Sequence, residues 1–133
     1  MSLGLDTSVV VRLIAGEPES LVRLATERIR LAMGEGERVL VSNIVVAEAY
    51  FALQRHYRMS KADARTALLR LADSGDVEME SEAVEALRET SSAGLVDRMI
   101  QANYRGAAAV TLTFDRKFGR RAGVELLRES GRR

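Results

Sequence analysis

Apolar positions along the chain follow two rhythms. Short runs of strand length, "LGLD" at 3–6, "RVLVS" at 38–42 and "AAAVTLTF" at 107–114, are separated by stretches in which apolar residues return every three or four positions. The first stretch, "TSVVVRLIAG", places Val10, Leu13 and Ile14 on one helical face and stops at Gly16. After Pro18 a second helix carries Leu21, Leu24, Ala25, Arg28 and Ile29 and closes at Gly34–Gly36. A third is predicted over 43–57, with Asn43 as its cap, and a fourth begins at the Ser60-x-x-Asp63 pair and ends at Gly75. "DVEME" reads as an edge strand, "SEAVEALRETSS" and "LVDRMIQANYRG" as two further helices, and "VELL" as a last short strand. The run at 107–114 is apolar enough to be buried on both sides. Strands alternating with helices across short loops predict one α/β domain over 1–133, a three-layer α/β/α sandwich around a short central parallel sheet.

Composition narrows the function classes. A chain of 133 residues, 47% hydrophobic, can bury a core of its own, and a net charge of +1 creates no global field for nucleic acid or membrane. Any polyanion site must therefore be local. With no cysteine there are no disulfides or thiolate metal sites, and the one histidine, His56, cannot build a multi-histidine centre. No apolar run approaches the roughly 20 residues of a membrane span, and no basic segment followed by an apolar one opens the chain. The expected location is the cytoplasm.

In a parallel sheet covered by helices, ligands bind beyond the carboxyl ends of the strands, so the polar residues there are the candidates. Asp6 ends the first strand, and Asp115 follows "AAAVTLTF". Alternation sets Thr111, Thr113 and Asp115 opposite Val110, Leu112 and Phe114. Asp97 falls in the first turn of its helix, where backbone N–H groups favour an anion, and Gly94 just upstream permits a close approach. Taken singly, each aspartate also suits a structural role: a helix cap at Asp6, a dipole partner at Asp97, an Asx-turn at Asp115. Glu48 is different. It shares a helical face with Ile44, Val45, Phe51 and Ala52, and no basic residue lies three or four positions away, so a buried Glu48 needs a cation or a neighbour, such as an arginine brought to it by the fold.

Taken together, "LDTS" at 5–8, "VSNIVVAEAYFAL" at 41–53, "GLVDRMIQA" at 94–102 and "TFDRKF" at 113–118 resemble a PIN domain over the full length of the chain. In size and motif order the chain is similar to the VapC-type toxins of bacterial and archaeal toxin-antitoxin modules. The resemblance implies an acidic metal site formed by Asp6, Glu48, Asp97 and Asp115, with Thr7 and Thr113 as polar neighbours. It also implies a metal-dependent endoribonuclease, a cognate antitoxin that neutralises it, and a homodimer. Many relatives carry a further acid three residues before the position of Asp97; here Gly94 stands there, which leaves one metal or two open.

An all-oxygen ligand set suits Mg²⁺ or Mn²⁺ rather than zinc. The run "RKFGRR" places Arg116, Lys117, Arg120 and Arg121 directly after Asp115, where they can hold an RNA backbone or form a solvated basic tail. Tyr50, Phe51 and Tyr57 suit core or dimer packing better than base stacking. Two other classes stay open. One is an acid-cluster phosphatase or phosphoacceptor domain, which would want a second acid near Asp6, where the chain has Ser8. The other is a PIN-like module that binds RNA or protein without cutting.

Overall fold

The structure, a computed structural model, describes residues 2–90 and 93–129. Three parallel strands, β1 (Ser2–Gly4), β2 (Arg38–Val41) and β3 (Glu78–Met79), form one sheet in the order β1-β2-β3. Leu3 stands opposite Val39, and Val41 opposite Met79. Central β2 is covered on both faces: Val39 and Val41 are buried to one side, and Leu40 is half-buried to the other. That is the layered α/β arrangement the alternation predicts.

The helices are α1 (Thr7–Ala15), α2 (Glu19–Gly34), α3 (Asn43–His56), α4 (Lys61–Asp73), α5 (Ser81–Arg88) and α6 (Leu95–Gly106). They pack as a chain of neighbours, α1 on α3, α3 on α4, α4 on α5 and α5 on α6. Their boundaries follow from local chemistry. α1 stops at Gly16, whose φ of 75° costs a residue without a side chain nothing. α4 starts because the Ser60 hydroxyl accepts the Asp63 N–H at 3.0 Å.

α3 corrects one expectation. Its cap is Ser42, which has extended φ and ψ and accepts the Val45 N–H at 3.3 Å, while Asn43 is already inside the helix. Asn43 instead ties α3 to its surroundings, donating its side-chain amide to Glu82 and to Asn103, each at 3.2 Å.

The run at 107–114 brings a second correction. Only Thr111–Thr113 forms a strand, β4, and it pairs in parallel with β5 (Val124–Leu126) rather than with the main sheet, Thr113 opposite Leu126. Residues 107–110 are exposed, and Val110, Leu112 and Phe114 leave one apolar face uncovered. Alternation sorts the two faces correctly, with Thr111 buried, but burial on both sides does not follow. Among the described residues, the outer edges of β1 and β4 carry no strand partner.

Candidate metal and nucleic-acid site

Asp6 occupies the N-cap position of α1 with extended φ and ψ, yet its carboxylate makes no cap bond and, among the described residues, accepts the Ser8 hydroxyl at 3.2 Å. The next residue reaches α3: the Thr7 hydroxyl donates to Glu48 Oε1 at 2.7 Å. Asp6, Thr7 and Glu48 thus form one small polar group where α1 meets α3.

Glu48 itself is exposed, not buried. The face it shares is partly uncovered, with Ile44 73% and Phe51 47% exposed while Val45 and Ala52 are half-buried against the core. The core takes the neighbouring stripe of α3, Val46, Ala49, Tyr50 and Leu53, which has the same helical spacing. A helix apolar nearly all round offers two stripes, and periodicity cannot choose between them. Glu48 therefore needs no cation to offset burial.

The second acidic group lies in a cleft of about 650 Å³ whose walls include Tyr50, Lys61, Arg65, Asp97, Asp115 and Lys117. α6 carries Asp97 in its first turn and begins at Gly94, where an added Cβ would stand 3.7 Å from Asp97 Oδ2, in ordinary contact. Burial raises the Asp97 pKa above the usual aspartate range, and the charge of Asp115 raises it further. Asp115 is exposed and shaped by an Asx-turn. Its Oδ1 accepts the Phe118 N–H at 3.0 Å, and its own N–H donates to the Thr113 hydroxyl at 3.0 Å, opening a short 3₁₀ turn at Phe118–Arg120. Thr113 is therefore a neighbour of the site that orders its turn.

Two arginines fix the frame of the cleft, Arg98 in its lining and Arg121 through Glu89. Arg98, 5% exposed, donates through Nε and Nη2 to the Ala86 carbonyl at 3.2 and 2.8 Å, and through Nη1 to the Ala93 carbonyl. It thereby fastens the start of α6, and with it Asp97, to the end of α5. Arg121 joins the same frame. Its guanidinium forks onto both oxygens of Glu89, at 3.0 Å to Oε1, and its Nε donates to Gln101 at 2.6 Å. That placement removes Arg121 from the basic patch read after Asp115, because its donors are committed to the frame. Arg116, Lys117 and Arg120 remain exposed.

The four acids are thus brought together as two pairs. Thr7 links Asp6 to Glu48, and a cleft joins Asp97 to Asp115. No group of three or more acidic, histidine or cysteine side chains that could hold a metal ion occurs among the described residues. Spacing along the chain did not disclose the basic walls of the cleft, Lys61 and Arg65. Lys61 follows the Ser60 cap directly, and only the packing of α4 beside α5 carries it to this site.

The pair fits a hard cation. Mg²⁺ is commonly held by one or two carboxylates while it keeps several waters, and Asp97 and Asp115 offer oxygen donors only, with a charge repulsion that a cation relieves. No helix among the described residues is long and apolar enough to cross a membrane. Neither the curated proteins nor the solved structures contain a match to the chain. A family model does match: it describes the PIN domain and covers residues 4–124, nearly the whole chain and all four acids, so the chain belongs to the PIN domain family.

Proposed function

We propose that this chain is a divalent-metal-dependent endoribonuclease of the VapC type. PIN domains are typically nucleases and usually use divalent metals, which supports hydrolysis of a phosphodiester at the coarse level. The observation that carries the finer reading is the cleft in which Asp97 and Asp115 stand between basic walls supplied by Lys61, Arg65 and Lys117. Carboxylates flanked by ammonium and guanidinium groups suit an anionic substrate that arrives with a cation.

In this reading Asp97 and Asp115 hold Mg²⁺ or Mn²⁺, and Asp6 and Glu48 complete the ligand set. When bound, the metal supplies Lewis-acid polarisation of the phosphodiester and lowers the pKa of water. The protein's own residues do the rest. Thr7 keeps the Glu48 carboxylate oriented, the Asx-turn holds Asp115 at the mouth of the cleft, and Arg98 keeps Asp97 in place. Arg116, Lys117 and Arg120 take the RNA backbone. Asp6 and Asp115 both follow parallel strands whose outer edges carry no strand partner among the described residues, so pairing of β1 with β4 would set the two halves of the acid group side by side.

The proposed partners follow from the same surfaces. A cognate antitoxin would insert an arginine into the acid pair, since a guanidinium binds carboxylates bidentately and competes with the metal. A second copy would cover the exposed apolar face of α3 at Ile44 and Phe51. A binding-only PIN module is the second reading, favoured by the separation of the two acid pairs. The test is cleavage of single-stranded RNA by the purified protein. Cutting that needs Mg²⁺ or Mn²⁺, stops in chelator and is lost in a folded Asp97→Asn variant supports the nuclease; binding without cutting under all these conditions supports the module.

A further inference from the structure

A second cleft, of about 640 Å³, is lined by Phe114, Arg116, Arg120, Leu126, Leu127 and Arg128. Phe114 is 80% exposed, the most exposed of the large hydrophobics. It lies one residue beyond Thr113, the last paired residue of β4, so strand pairing does not account for its position. It is also absent from the hydrophobic core. Arg116, Arg120 and Arg128 are exposed and join none of the ion pairs among the described residues, unlike Arg121 behind them.

An aromatic ring left in water beside three uncommitted guanidinium groups has the chemistry of a nucleotide site. The ring offers a stacking platform for any base, and the guanidiniums match the phosphates on either side. We infer that this cleft binds one nucleotide of a single-stranded RNA, with its base stacked on Phe114 and its flanking phosphates held by Arg116, Arg120 and Arg128. Stacking of this kind needs a base whose face is free, so the cleft selects single strands over duplex. Asp115 directly follows Phe114, so the bound nucleotide borders the acid cleft and fixes which phosphodiester reaches it. The inference deepens the nuclease reading by naming a base subsite, and it is tested through binding alone.

The chain has no tryptophan, so Phe114→Trp introduces a unique fluorophore at the site. Its emission would be recorded while an unlabelled ten-nucleotide RNA is added, in chelator and again with Ca²⁺, next to a duplex of the same sequence. Binding of a fluorescein-labelled copy to wild type, Phe114→Ala and Arg120→Ala would be followed by anisotropy across a salt series. Quenching by the single strand but not the duplex is expected. Phe114→Ala should weaken binding about tenfold with the salt slope unchanged. Arg120→Ala should flatten the slope by roughly 0.7. An unquenched tryptophan, undiminished binding by Phe114→Ala, equal binding of duplex, or no binding by wild type in either buffer would each overturn the inference. Wild type that binds as expected, with Phe114→Trp quenched, yet cuts nothing with Mg²⁺ or Mn²⁺ refutes the nuclease reading and leaves the base subsite standing.

Discussion

Replacing Arg98 by methionine tests how the acid cleft is held. The methionine keeps most of the apolar stem of the side chain but removes three donors. Two backbone carbonyls, at Ala86 and Ala93, then lose partners inside a region where Arg98 is only 5% exposed. Each carbonyl's hydrogen bonding to the charged guanidinium is worth about 1.5–3 kcal/mol, or roughly 4 kcal/mol for the two. Removing the guanidinium also gives back part of its own burial penalty, which is real here: burial is the foremost cause lowering the Arg98 pKa, ahead of the opposing pull of Glu89 at 3.9 Å. The net loss should therefore be about 3 kcal/mol. For a chain of 133 residues, an unfolding entropy near 2.1 cal/mol/K per residue makes that a fall of roughly 10 °C in Tm. Urea unfolding and thermal melts of wild type, Arg98→Met and Arg98→Lys measure it directly. Lysine, with a single ammonium that cannot span both carbonyls, should fall between the other two. Arg98→Met within 1 kcal/mol of wild type would refute the reasoning, because the carbonyls would then be satisfied without the fork.

Three further outcomes follow from the same geometry. In chelator, Asp97 should titrate above an ordinary aspartate, and Asp115→Asn should lower its pKa only in part because burial is the larger cause; side-chain carboxyl NMR checks this, and a complete return would make charge dominant. Since the folded pKa is raised, the stabilisation from protonated Asp97 is fully present below the unfolded pKa and is lost as pH rises through the folded one, so the metal-free protein should gain stability from this group on acidification. Arg121→Ala should lower the melting temperature while leaving the salt dependence of RNA binding unchanged, the reverse of Arg116→Ala, because Arg121 is spent on Glu89 and Gln101. Mn²⁺ at a hundredfold over its Kd should add about 2.7 kcal/mol of stability to wild type and measurably less to Asp115→Asn, as read by thermal shift; an equal gain in both would remove Asp115 from the site.

Much of the fold was legible because its signals are local. Gly16 ends α1, Ser60 starts α4, and the alternation at 110–114 sorts apolar from polar faces, each readable within a few residues. The misreadings concern residues whose fate depends on distant partners. Ser42 and Asn43 are both good caps, and Asn43 is drawn inward by Glu82 and Asn103, far along the chain. Arg121 looks like its neighbours Arg120 and Arg116 until Glu89 and Gln101 are placed beside it. Glu48 sits on an apolar stripe that competes with a second stripe four residues wide, and only packing decides which one enters the core.

The acid site divides along the same line. The step from Asp97 to Asp115 is set by elements adjacent in sequence, since α6 leads through a short loop into β4, and these two carboxylates do meet in one cleft. Asp6 and Glu48 are joined across 41 residues from Thr7 to Glu48 by the packing of α1 on α3, with the Thr7 hydroxyl closing the gap. In the proposed four-acid site, joining the two pairs would call for a contact between the first and fourth strands, which lie far apart in the chain. Such non-local pairing carries the largest loop-closure cost and no local residue encodes it. Four like-charged carboxylates brought within a few ångströms repel one another, so electrostatics alone does not favour closing that gap. In the proposed metal site a cation would reverse the sign of that term, and occupancy of the Asp97–Asp115 pair would then control whether the halves meet.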